Sequence, residues 1–87
     1  MTNIRTGQRI TSKSTYQARS FLLTYGEQFP SDPAAFDRSV HAPRLLQVEK
    51  GQSFDVLGAL PNGQVFVRVE TDGKAYACLL LPGSFQA

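Results

Sequence analysis

The chain has 87 residues, a hydrophobic fraction of 41%, 18% charged residues and a formal net charge of +2. That is enough for one small folded domain and too apolar for a disordered chain. One Cys and one His exclude an internal disulfide and a Cys/His zinc centre, so neither a disulfide scaffold nor a metal cofactor is expected.

No apolar run is long enough to span a bilayer, and the first residues lack the apolar stretch of a secretory signal. A cytoplasmic protein without membrane association is the expectation. The charge is unevenly spread. Arg5, Arg9, Lys13 and Arg19 precede the first acid, Glu27, while the remainder carries five basic and seven acidic residues. Residues 1–13 read as a mobile basic leader and 14–87 as a single domain, helical over 14–42 and a β meander over 44–85.

In "STYQARSFLLTYG", Ser14 and Gln17 have the spacing of a capping box. Ala18, Phe21, Leu22 and Tyr25 fall on one helical face, and Gly26 stands where a left-handed C-cap belongs. The pattern predicts a helix; a strand over "RSFLLTY" is the rival reading. A second, shorter helix is expected after Asp32 as N-cap and Pro33 at the first helical position, with Phe36 and Val40 sharing a face. Ala42-Pro43 ends it.

From Arg44 onward the period becomes alternating. "RLLQVE", "SFDVLGAL", "QVFVRVET" and "KAYACLLL" read as strands separated by turns at Lys50-Gly51, Asn62-Gly63 and Asp72-Gly73. With two-residue loops at the last two, Val56 opposes Val69 and Leu60 opposes Val65. Beyond Asp72-Gly73, Val69 opposes Tyr76, Val67 opposes Cys78 and Val65 opposes Leu80. Phe54, Val56, Leu60, Val65, Val67, Val69, Tyr76, Cys78 and Leu80 then share an inner face for the first helix to cover. Asp55, Leu57, Ala59, Phe66, Arg68, Glu70, Ala75, Ala77 and Leu79 lie opposite.

The expected fold is therefore α+β: an N-terminal helix and a short second helix packed on a three- to five-stranded antiparallel meander. These strands, with the terminal "LLPGSF", resemble the meander of an SH3-like small barrel over residues 44–85. The aromatic cluster of the peptide-binding members is missing, so the resemblance implies a fold and transfers no binding residues.

Function is read from what the faces leave over. Leu57, Phe66 and Leu79 are poorly suited to a solvated face. Either the second helix or sheet closure covers them, or with Arg68 they form a surface for a protein partner or a second copy. A non-enzymatic interaction protein working through a sheet face or edge is the leading expectation. "RLLQVE" is a candidate edge, guarded by Arg44 and Glu49. The alternative is nucleic-acid binding through Arg5, Arg9, Lys13, Tyr16 and Arg19, the arginines and lysine on phosphates and the ring on a base. Catalysis is not expected. Cys78 faces inward, His41 sits at a helix end, the acids are scattered, and no phosphate loop, dinucleotide fingerprint or calcium loop is present.

Overall fold

The computed structural model describes residues 4–24 and 28–87. Over these residues the chain is antiparallel sheet without any α-helix. The strands are β1 (Arg9–Ser12), β2 (Tyr16–Leu22), β3 (Pro43–Val48), β4 (Ser53–Ala59), β5 (Val65–Thr71), β6 (Lys74–Leu80) and β7 (Phe85–Gln86). They form one sheet in the order β3-β2-β6-β5-β4-β1-β7, curled into a half-barrel compatible with the small-barrel resemblance.

The first predicted helix is strand β2. Its residues divide between two cores. Ala18 belongs to the core inside the curl, while Phe21, with Leu23 just beyond the strand, belongs to a second core on the outer side. Ser20, fully buried between them, donates its hydroxyl to the Arg44 carbonyl at 2.6 Å. A strand covered on both sides shows apolar residues at spacings that mimic a helical stripe, and tertiary pairing decides the outcome. The helix face had also used Tyr25, and its cap Gly26; both lie outside the described residues.

The second helix reduces to two 3₁₀ turns, Pro33–Ala35 and Arg38–Val40. Asp32 does cap the first, accepting from the Ala34 N–H at 3.1 Å. Phe36 and Val40 do not share a face, for Phe36 is buried and Val40 is exposed. The basic leader is likewise structured from Ile4 onward. Arg9–Thr11 pair with β4 across to Asp55–Ser53, and Ile10 is wholly buried in the inner core. This one side chain fixes the strand, and a lone Ile among polar residues gave no periodic signal.

The β5–β6 hairpin has the expected register, with Val65, Val67 and Val69 opposite Leu80, Cys78 and Tyr76. Asp72 and Gly73 both take positive φ (55° and 73°), as a two-residue turn of the I′ type requires. The β4–β5 hairpin departs from expectation twice. Its loop is three residues, Pro61-Asn62-Gly63, with Gly63 left-handed at φ 90° and a Leu60 N–H···O Gln64 bond of 2.8 Å closing it. A bulge at Leu57 then shifts the ladder again, so that Val56 opposes Val67, not Val69. Two one-residue shifts restore the parity of the faces beyond the bulge. Between loop and bulge the faces are exchanged. Ala59 packs on the inner core and Leu60 on the outer one.

The inner core comprises Ile10, Ala18, Val48, Phe54, Val56, Val65, Val67, Cys78 and Leu80. The outer core is Phe21, Leu23, Phe36, Phe66, Ala77 and Leu79, with Phe29, Leu57, Leu60 and Ala75 around it. Its lid is the connection between β2 and β3, which lays Phe29 and Phe36 on Phe66 at ring distances of 5.1 and 5.3 Å. Gly58 permits this approach: a Cβ there would collide with the Pro33 ring and lie 3.3 Å from Phe29 Cε1. Because both faces of β6 are covered, Tyr76–Leu80 are buried without interruption.

Candidate interaction surface

The face expected to receive a partner is core. Phe66 is 2% exposed, Leu79 is buried and Leu57 is half-buried against the same cluster. The lid that covers them is irregular rather than helical. Of the four residues expected to form this surface, only Arg68 is exposed, and its guanidinium holds Glu70 at 2.8 Å.

The five residues expected at a nucleic acid do not converge. Arg9 pairs with Asp55 at 2.9 Å on the outer side of β1 and β4. Arg19 stands on β2, with three strands between it and β1 in the sheet order. Arg5 is exposed in the segment before β1, and Lys13 lies just beyond it. Tyr16 is half-buried. Its ring packs on the inner core, and its hydroxyl contacts Ser84 Oγ at 2.8 Å and accepts the Leu81 N–H at 3.1 Å.

Cys78 and His41 belong to different sides of the sheet. Cys78 is fully enclosed in the inner core, where burial pushes its thiol up to about 12. The His41 ring stacks on Phe36 of the outer core at 4.5 Å, with Nδ1 2.9 Å from the Leu22 carbonyl. Among the described residues, no three His, Cys, Asp or Glu side chains gather as a metal ion would need. No helix among them is long and apolar enough to cross a membrane.

What the fold leaves open is the outer side of β3. Among the described residues the strand ends the sheet, pairing Tyr16–Phe21 with Val48–Pro43 on one side only. The Leu22 N–H donates to the Ala42 carbonyl at 3.0 Å, which fixes the alternation. Arg44, Leu46 and Val48 turn their backbone groups toward β2, while Pro43, Leu45 and Gln47 turn theirs outward. A proline is tolerated at Pro43 because its missing N–H would have faced away from the sheet.

Side chains add to this edge. Leu45 is 60% exposed, opposite Arg19, and Val40 just upstream is 73% exposed. Arg19, Phe21, Pro43, Arg44 and Leu45 line a concavity of about 530 Å³. Of the two residues expected to guard the edge, Arg44 is drawn toward β6 and its turn, while Glu49 stays beside the strand. Arg44 donates to Asp72 and to the Tyr76 hydroxyl, both at 3.2 Å, while Glu49 accepts from Gln47. The Tyr76 and Asp72 bonds hold the guanidinium above its ordinary pKa.

Sequence reasoning passed over Leu45, although the signal was present. In "RLLQVE" two leucines are adjacent, and a strand with one covered face can bury only one of them. Compared with known protein families, curated proteins and solved structures, the chain matches none.

Proposed function

We propose that this domain is a non-enzymatic interaction module that takes an extended segment of a protein partner along the outer edge of β3. The observation that carries the reading is the outer side of that strand, unpaired among the described residues, beside a largely exposed Leu45. Main-chain bonds to the N–H and C=O of Leu45 and Gln47 would supply affinity, and the concavity beside Leu45 would select the incoming side chain. Strand addition suits a small domain whose apolar faces are both committed to its own cores. Pro43 at the strand's start limits the landing to a short stretch, which favours a defined partner over open-ended stacking of copies.

The test is selection of binding peptides from a random display library, followed by the Leu45→Pro variant. The substitution removes an outward N–H and leaves the β2–β3 ladder whole, so the expected result is a near-native thermal midpoint with binding abolished. Selected peptides that bind Leu45→Pro as well as wild type would refute the edge as the docking site. A midpoint lowered as far as in a core variant would show that the Leu45 N–H is already bonded.

A further inference from the structure

The β2–β6 ladder is short. It runs over Ser20–Leu22 against Cys78–Tyr76, and toward Tyr16 the two strands part. Tyr16 spans the opening, its hydroxyl bonded to the Leu81 N–H. The parting leaves a recess of about 280 Å³ whose lining includes Ala18, Leu79, Gln64, Arg19 and Arg38. Leu81, 52% exposed, borders it.

Among the described residues, no carboxylate lines this recess. Arg9, Arg44 and Arg68 each hold an acid, whereas Arg19 and Arg38 make no ion pair with a described residue. The acid nearest Arg38 in sequence, Asp37, is turned to Ser39, whose N–H and hydroxyl both donate to Oδ1, at 3.0 and 2.6 Å. Those bonds keep its carboxyl below the ordinary range and therefore charged, yet committed to its own turn.

From this we infer that the recess between β2 and β6 is a carboxylate site, which receives a Glu or Asp side chain of an acidic protein segment between Arg19 and Arg38. A guanidinium presents paired donors that match a carboxylate, and two of them in a recess that Ala18 and Leu79 also line give the bond a partly desolvated setting. The volume suits one side chain and falls below that of ordinary small-molecule sites. A nucleic acid fits less well. Its phosphates recur along a strand, while the other arginines of β1, β3 and β5 are already paired, and the Tyr16 ring that borders the recess is packed on the inner core with its hydroxyl bonded. The inference goes beyond the β3 edge and does not rest on it.

The experiment titrates the full chain with a blocked peptide of alternating Glu and Ser, followed by amide shifts in NMR. Saturable shifts are expected at Gln17–Arg19 and Leu79–Leu81. Arg19→Gln and Arg38→Gln should each weaken binding about tenfold, the lower end for a charge-assisted bond once solvent exposure is discounted. Lys74→Gln, at the distant β5–β6 turn, should leave it unchanged. Thermal midpoints near wild type in both arginine variants would confirm that the fold is intact. Absence of binding at low salt would overturn the inference. So would equal weakening by Lys74→Gln, or a single-stranded oligonucleotide of the same charge bound more tightly at the same residues.

Discussion

Phe66→Ala is the perturbation that bears most directly on the two-core architecture. The side chain is 2% exposed and in contact with the rings of Phe29 and Phe36. Truncation forfeits the transfer free energy of a buried aromatic side chain and leaves a void beneath a lid that is itself held by those rings. Core Phe→Ala changes of this kind cost about 3–5 kcal/mol. An 87-residue domain has roughly 4–13 kcal/mol of total stability, so the loss is a large part of it. At about 4–8 °C per kcal/mol for a chain of this size, the thermal midpoint should fall on the order of 20 °C, read by circular dichroism. Phe66→Asp should go further and unfold the domain, since it places a carboxylate where nothing can pair with it. A folded Phe66→Asp variant within a few degrees of wild type would refute the second core and return Phe66 to the surface.

Three further outcomes follow from the same packing. Gly58→Ala should cost about 1–3 kcal/mol in a urea titration, because the new methyl must displace the Pro33 ring. Tyr16→Phe should lower stability by about 1–2 kcal/mol through loss of its bonds to Ser84 and Leu81, with the fold retained. The Cys78 thiol should resist a disulfide reagent at pH 8 in the native state and react on unfolding. Its folded value, about 12, lies above the ordinary 9.0, so above pH 9 the unfolded state loses this proton first. The thiol's contribution to stability is thus intact below pH 9 and is lost as pH rises toward 12. Rapid native labelling at pH 8 would contradict its enclosure.

What could be read from the residues divides along physical lines. The β5–β6 hairpin was legible to the residue because Asp72-Gly73 dictates a two-residue turn and Val65, Val67 and Val69 leave one choice of face. The β4–β5 register was not, because Pro61-Asn62-Gly63 closes a three-residue loop and the Leu57 bulge answers to the lid over Gly58, a contact between distant parts of the chain. β2 was hidden by its own burial: with Ser20 and Phe21 enclosed from opposite sides, alternation disappears and Ala18, Phe21 and Leu22 imitate a helix. Of the site, Leu57, Phe66 and Leu79 stood out as ill-suited to solvent and were assigned to a partner, whereas the chain covers them itself with Phe29 and Phe36. The edge of β3 was half visible in Pro43 and the Leu45-Leu46 pair. The recess at Arg19 and Arg38 was not visible at all, since it joins residues from the two ends of the β2–β3 segment.

Amide hydrogen exchange along β3, followed by NMR in dilute protein and again with a selected peptide bound, tests the central claim most directly. The account predicts that the Leu45 and Gln47 N–H groups exchange faster than those of Leu46 and Val48 by at least about a hundredfold in the free domain. Both should become protected when the peptide binds. Leu45 and Gln47 as slow as their neighbours in the free, dilute protein would contradict it, for the edge would then be closed.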